Sequence, residues 1–205
     1  MVPQRGRPER LGVLGGTFDP PHNGHLFAAR RSIEQLALDR VLLVVANDPW
    51  QKSPSRAINP ASTRLAMTEA AVAHQHKVHA SPIELDRGGP SYTVDTVEEL
   101  MSTDAPVAPE VFLIVGADVV DALGTWHRPQ DLARLVTLVV VSRPGVASPW
   151  VAQGWRARLL LGEGLTVSSS QIRDMVGSGL PIGGLVPKAV AQHIERARLY
   201  ARPTP

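Results

Sequence analysis

Two imidazoles, His22 and His25, flank a glycine in the segment Gly15-Gly16-Thr17-Phe18-Asp19-Pro20-Pro21-His22-Asn23-Gly24-His25-Leu26. A short apolar run, Leu11 to Leu14, precedes it, and Leu26 to Leu38 follows with apolar residues at helical i, i+3, i+4 spacing. The histidines therefore stand where a strand gives way through a glycine turn to a helix, among backbone N–H groups at the positive end of the helix dipole. Both rings can donate to one phosphate there. Two readings compete: a tight turn with a histidine cap, and a metal site of Asp19, His22 and His25, although no further His or carboxylate has matching spacing. Neither G-x-G-x-x-G nor G-x-x-x-x-G-K-[ST] is present, so the usual dinucleotide and P-loop readings fail. Asp19 reads as a turn-former that ties the glycine loop.

A second candidate is Val167-Ser168-Ser169-Ser170-Gln171-Ile172-Arg173, which opens a predicted helix from Ser169 to Val176. Hydroxyls and free N–H groups at a helix start, with Arg173 one turn on, suit a triphosphate, although a serine run there also serves as an ordinary N-cap. Lys52, one of only three lysines with Lys77 and Lys188, lies in the loop after the second predicted strand. At that end of a parallel strand it can reach the same phosphates, or simply be solvated. Asp118 follows another buried-type strand, and its carboxylate can accept two hydrogen bonds from ribose hydroxyls.

The elements that must position these groups alternate. Val41 to Ala46, Val111 to Val115 and Thr137 to Ser142 are continuous β-branched and Leu runs, the pattern of strands buried on both faces, and Val78 to Ser81 is a shorter one. Between them, Asn59-Pro60 reads as an N-cap and first-turn proline for a helix to about Ala73, and Val94, Val97, Leu100 and Met101 share a helix face. Helical stretches surround Val119 and span Pro129 to Leu135, and a last helix runs from Pro187 to Ala197. This order predicts an α/β fold, a doubly wound parallel sheet with helices on both faces and a short helical C-terminal part, with ligands beyond the carboxyl ends of the strands.

The 205 residues form one predicted domain, with residues 1–9 and 201–205 as frayed tails and 144–164 as a variable surface excursion. The chain lacks cysteine, which removes disulfide frameworks, thiolate zinc sites and thiol nucleophiles. Of 21 basic and 19 acidic residues, the first ten hold three Arg and one Glu, so the remainder carries 18 of each sign. That neutral body, with no basic stripe among aromatics, argues against nucleic-acid binding. No apolar run approaches a membrane span, and no signal-type stretch follows Arg5, Arg7 and Arg10, so a soluble cytoplasmic protein is expected.

Gly15 to His25 resembles the GGTFDPxHxGH signature of the nucleotidyltransferase superfamily. Val167 to Arg173 is similar to its ISSTxIR motif, with Val167 and Ser170 as mild departures. Gly88 to Thr96 resembles the GPSYTxDT segment of the nicotinate-mononucleotide adenylyltransferases. Gly116-Ala117-Asp118, Trp126, Pro49-x-x-Lys52 and Arg143-Pro144-Gly145 are likewise similar to elements of that family. Trp50 and Gln51 resemble its actinobacterial members, and the likeness extends from about Leu11 to Tyr200.

The resemblance implies a Rossmann-like fold and transfer of AMP from ATP to nicotinate mononucleotide, giving nicotinate adenine dinucleotide and pyrophosphate in NAD biosynthesis. It places His22, His25, Lys52 and Arg173 in catalysis. ATP would lie on Gly15, Gly16, Thr17, Phe18, His22, His25, Gly116, Asp118, Ser168, Ser169, Ser170 and Arg173. The mononucleotide would lie on Gly15, Asn47, Lys52, Tyr92, Thr93, Trp126 and Arg143. Thr93 and nearby N–H groups would receive the nicotinate carboxylate, and Trp126 would stack on the pyridine ring, unless it is a core tryptophan. Mg²⁺ would arrive with the ATP phosphates, with no metal site of the protein's own. His127 departs from the pattern, since many relatives carry a second aromatic residue there. Two alternatives are another enzyme of the superfamily, such as pantetheine-phosphate adenylyltransferase, and a non-catalytic nucleotide-sensing module. The Gly88 to Thr96 segment with Trp126 opposes the first, and retention of both His, Lys52 and Arg173 opposes the second. The oligomeric state stays open, a homo-oligomer included.

Overall fold

The apolar runs pair as burial on both faces requires. The computed structural model describes residues 7–49, 58–102, 107–142, 154–161 and 167–201. Strands β1 (Arg10–Gly16), β2 (Arg40–Val45), β3 (Val78–Ser81), β4 (Glu110–Gly116), β5 (Val136–Ser142) and β6 (Ala157–Leu161) form one parallel sheet in the order β3-β2-β1-β4-β5-β6. The winding direction reverses between β1 and β4, which opens a crevice at their carboxyl ends, Gly16 and Gly116.

Helices α1 (Asn23–Leu36), α2 (Ala61–Val72), α3 (Ile83–Arg87), α4 (Thr93–Met101), α5 (Pro129–Leu135), α6 (Ser169–Gly177) and α7 (Lys188–Arg196) cover the sheet and its C-terminal extension. One apolar layer packs Val94, Val97, Leu123 and Leu132 against Val13, Leu113 and Leu138; the opposite layer packs Leu26 and Ala29 against Leu43, Phe112 and Val139. A third cluster, around Met67, Ile172, Val190 and Ile194, fastens α6 and α7 to α2. The C-terminal helices thus have a core of their own, carried by one helix of the main fold.

Several expectations require correction. The excursion expected over residues 144–164 contains β6, whose edge position leaves Leu159 exposed and so hides the buried-strand pattern. The tail expected to fray is tethered from Arg7 onward: Arg7 pairs with Asp39 at 2.6 Å and Glu9 with Arg40 at 2.7 Å. The stretch around Val119 is a 3-10 helix, Ala117–Thr125, and α3 has no counterpart in the sequence reading. Pro60, not Asn59, occupies the N-cap of α2, and the Asn59 amide donates to Asp19 at 2.7 Å.

Arg64 is the largest fully buried side chain, at 1 % exposure on the inner face of α2. Its guanidinium donates to the carbonyls of Thr17 (3.0 Å), Ala46 (2.6 Å), Asn47 (3.1 Å) and Asn59 (2.8 Å). One planar fork therefore ties the loop after β1, the end of β2 and the approach to α2. The Thr17, Ala46 and Asn47 carbonyls follow the ends of β1 and β2 and that of Asn59 precedes α2, so a cation with several fixed donors serves acceptors outside the regular elements. Stranding a buried carbonyl costs about 1–3 kcal/mol. Arg64→Met should therefore lower the free energy of unfolding by roughly 3 kcal/mol or more, and Arg64→Lys should recover less than half of that, because a point ammonium cannot reproduce the fork. Urea unfolding at constant m-value measures both; a wild-type midpoint for Arg64→Met would show that the clasp contributes nothing.

Candidate active site

The loop leaving β1 is irregular, with Phe18 in the left-handed region at φ 50° and prolines at 20 and 21, and its shape is imposed from outside. Asp19 is 1 % exposed, and its Oδ1 accepts from Asn59 Nδ2 and from the Tyr200 hydroxyl, each at 2.7 Å. Its carbonyl accepts from Arg173 Nη1 at 2.9 Å, and the Pro20 carbonyl accepts from Ser169 Oγ at 2.9 Å. Asp19 is thus a buried acceptor for three remote segments, which corrects its reading as a local turn-former. No group of three or more metal-binding side chains occurs among the described residues.

The loop delivers His22 to the N-cap of α1 and His25 to its first turn. The rings stack, centroids 3.6 Å apart and planes 23° from parallel, and the edge of His25 meets Phe18 at 4.9 Å. His25 Nδ1 accepts from the His22 backbone N–H at 3.1 Å, which assigns the ring proton of neutral His25 to Nε2. Gly24 lets the pair assemble: a Cβ there would lie 3.0 Å from His22 Nδ1 and 3.2 Å from Val167 Cγ1. Thr17 and Phe18 are buried beneath the pair, while Gly15 is exposed at the end of β1. Asn23 anchors the helix start to the loop before α7, its Nδ2 donating to Gly184 at 2.8 Å and its N–H to Leu185 at 2.9 Å.

Facing this loop is the start of α6. Ser168 caps it, accepting from Gln171 N–H at 3.2 Å, and Arg173 Nη2 donates to Ser170 Oγ at 2.9 Å. The two candidate motifs, about 150 residues apart in the chain, are therefore joined by the Ser169–Pro20 and Arg173–Asp19 bonds. At the end of β4, Asp118 is exposed, and its carboxylate folds so closely over Gly116 that any Cβ there would collide with Oδ1. The histidine loop and Asp118 thus follow β1 and β4, the neighbouring strands between which the sheet reverses direction.

A second group assembles beside the end of β2. Asn47 N–H donates to Ser91 Oγ at 2.8 Å, Asn47 Nδ2 to the Gly89 carbonyl at 2.9 Å, and Ser91 N–H to the Asp48 carbonyl at 3.1 Å. The segment before α4 is thereby pulled against β2. Glu84, 7 % exposed, accepts from Thr96 Oγ1 at 2.7 Å, and Arg87 donates to that same oxygen at 2.9 Å, which fixes α4 against α3. Tyr92 fills the N-cap position of α4, where Ser, Thr, Asp or Asn would commonly accept from the first-turn amides, and half-buried Thr93 begins the helix. The Tyr92 ring stacks on His127, centroids 4.2 Å apart. Trp126 is half-buried on the same apolar layer as Tyr92, so it meets the core with part of its indole and solvent with the rest. Arg128 closes this side, bonded to Glu98 at 2.6 Å and Asp131 at 3.0 Å.

Lys52, Trp50 and Arg143 lie outside the described residues. Sequence reasoning missed Arg64, the bond from Asn59 to Asp19, and Tyr200. Only Arg64 left a signal: it falls in phase with Met67, Thr68 and Ala71 on the buried stripe of α2.

The chain matches the cytidylyltransferase-like family model over residues 13–175. It is 41% identical over 199 residues to a probable nicotinate-nucleotide adenylyltransferase of Corynebacterium kroppenstedtii, covering 93% of this chain and 90% of that one. A protein with the same description from Acidothermus cellulolyticus is 38% identical, with 96% and 97% covered, and one from Bordetella petrii 39%, with 94% and 99% covered. Among solved structures, the Plasmodium falciparum nicotinic acid mononucleotide adenylyltransferase complexed with NaAD superimposes with a TM-score of 0.78 over 94% of this chain and 97% of that one, at 14% identity, a likeness of fold. With the histidine loop, the α6 start and the α4 segment all in place on that fold, the chain belongs to the nicotinate-nucleotide adenylyltransferases of the cytidylyltransferase-like family.

Proposed function

We infer that the protein transfers the adenylyl group of ATP to nicotinate mononucleotide. The 5′-phosphate of the mononucleotide attacks the α-phosphorus of ATP, the α–β bridging P–O bond breaks, and pyrophosphate leaves. The attacking oxygen is already an anion at neutral pH, so no general base is required. The protein must instead hold two anions in line against their repulsion and stabilise the charge that grows on the leaving group.

The observation that carries this reading is the union of the two phosphate-type motifs: His22 and His25 at the start of α1, joined through Asp19 and Pro20 to Arg173 and Ser169 at the start of α6. In this assignment the triphosphate lies between the two helix starts. His25 Nε2–H, the His22 ring, the Arg173 guanidinium and Ser168 to Ser170 supply donors to it, and the family resemblance assigns Lys52 to the same phosphates. Gly15, Gly16, Thr17 and Phe18 provide the floor, and Asp118 with Gly116 takes the adenosine ribose. Mg²⁺ enters as part of the nucleotide substrate. Because Arg173 and Ser169 are already braced on the loop carbonyls, little reorganisation accompanies reaction.

The mononucleotide belongs beside it, between the end of β2 and the start of α4. The amides of the first turn of α4 and the Thr93 hydroxyl all donate, and they suit a carboxylate. Trp126 offers the pyridine ring an apolar face, with Tyr92 and His127 stacked nearby, and Lys52 and Arg143 complete the set of cations. Asn47 acts chiefly by holding the segment in place. The reaction uses soluble substrates, consistent with a cytoplasmic enzyme, and no helix among the described residues is long and apolar enough to cross a membrane. Pyrophosphate release measured with nicotinate mononucleotide, nicotinamide mononucleotide and phosphopantetheine in parallel tests the acceptor; turnover of phosphopantetheine alone would overturn the assignment.

Three outcomes are expected. His25→Ala and Arg173→Ala should each reduce kcat by about 10²–10³, the usual cost of losing one preorganised donor to developing charge, with much smaller effects on the KM of the mononucleotide. Near-normal kcat in single-turnover measurements would remove that residue from the reacting centre.

Gly24→Ala adds a methyl that meets the His22 ring at 3.0 Å, yet alanine is the better helix former by about 1 kcal/mol. Its thermal midpoint should stay near wild type while kcat falls at least tenfold. Loss of fold and activity together would instead make Gly24 a packing residue.

For the acceptor, a carboxamide would turn its NH₂ toward donors and lose a charge-assisted bond. A preference of roughly 10²-fold in kcat/KM for the acid over the amide should result, narrowed but not abolished by Thr93→Ala because the backbone donors survive. Equal efficiency for both substrates in the parent enzyme would refute the carboxylate pocket.

A further inference from the structure

Tyr200 lies four residues beyond the end of α7, far in sequence from both phosphate motifs. The chain reverses there, with Arg198 and Tyr200 at φ 47° and 64° and Leu199 N–H bonded back to the Ile194 carbonyl at 3.0 Å. That turn inserts the phenol ring into the apolar cluster shared by α2, α6 and α7, where its oxygen lies 4.0 Å from Met67 Sδ. The hydroxyl emerges from the far side of this cluster and donates to Asp19 Oδ1 at 2.7 Å.

Asp19 is three residues from His22, and its carbonyl carries the Arg173 guanidinium. At 1 % exposure water cannot stand in for the donors to this carboxylate, and Asn59 and Tyr200 are two of them. Burial and the adjacent Asp19 carboxylate push the Tyr200 phenol far above its usual range. The hydroxyl therefore stays protonated, and donates, at any pH at which an enzyme of this kind works.

We propose that Tyr200 is a positioning residue of the active site: through Asp19, its hydroxyl fixes the loop that presents His22 and His25 and the carbonyl on which Arg173 is braced. The C-terminal turn thereby reports the correct docking of α7 to the phosphate loop. The proposal rests on the transfer reaction inferred above, and it adds a residue that touches neither substrate.

Tyr200→Phe removes the hydroxyl and keeps the ring in its cluster. With the loop less firmly held, kcat should fall by about tenfold while KM for the mononucleotide stays within about twofold, and the loss of one buried hydrogen bond should lower the thermal midpoint by several degrees without unfolding the protein. Hydrogen exchange supplies a readout that does not depend on the reaction. Amides of residues 17–26 should exchange several-fold faster in Tyr200→Phe than in the parent, and those of β4 and β5 at the parent rate. If the parent enzyme does not turn over nicotinate mononucleotide, the functional reading fails and the exchange comparison alone decides on Tyr200. Unchanged exchange over residues 17–26, or unchanged kcat with only a lowered thermal midpoint, would overturn the proposal and leave Tyr200 as a packing residue.

Discussion

The loop between β1 and α1 cannot satisfy itself. Its prolines donate nothing, Phe18 turns into the left-handed region, and the carbonyls of Thr17, Asp19 and Pro20 point away from any strand or helix ladder. Buried acceptors of this sort must find donors or the loop will not hold one shape. The fold imports them: Arg64 from α2, Ser169 and Arg173 from α6, and, for the Asp19 carboxylate, Asn59 and Tyr200. The apolar cluster around Met67, Ile172, Val190 and Ile194 holds α6 and the turn after α7 within reach of the loop, and Ser169, Arg173 and Tyr200 donate to it from there.

This arrangement also shapes the electrostatics of the proposed site. Arg173 has one arm on the Asp19 carbonyl and another on Ser170, so its charge is held in place before any nucleotide arrives. The stacked histidines are fixed in the same way, since the His22 backbone N–H holds His25 Nδ1 and so assigns the proton of the neutral ring to Nε2. A flexible set of cations would attract ATP equally well but would have to be ordered during reaction. Preorganised donors have already lost that freedom in folding, so their interaction with the transition state is not diminished by it.

The α/β alternation was legible in the sequence because each central strand is buried on both faces and reads as an unbroken apolar run. β6 was not legible: an edge strand with Arg158 and Leu159 facing outward has no such run. The same division holds within the site. His22, His25, Ser168 to Ser170 and Arg173 announce themselves by residue type at a helix start, whereas Asp19, Asn59 and Tyr200 owe their meaning to contacts across 40 to 181 positions. No local pattern encodes such a contact. Arg64 falls between the two cases, since a charge in phase with a buried helical stripe shows that something polar must receive it, without showing what.

The acceptor side is built on different terms. There the segment Gly88 to Thr93 is tied to β2 by Asn47, Asp48 and Ser91, and α4 is set by the Glu84–Thr96–Arg87 contacts, none of which touches the loop after β1. In the proposed assignment, phosphate handling and acceptor choice rest on two hydrogen-bond networks joined through Arg64, whose fork reaches both Thr17 and Asn47. Away from such a shared partner, distant sites tend to respond independently to substitution. On the proposed assignment, changes around Tyr92, Thr93, Trp126 and His127 should alter which mononucleotide is accepted while the donors assigned to the triphosphate keep their geometry. His127, stacked on Tyr92 at the solvent edge, lies on that acceptor side, where a departure from the family pattern should disturb the chemical step least.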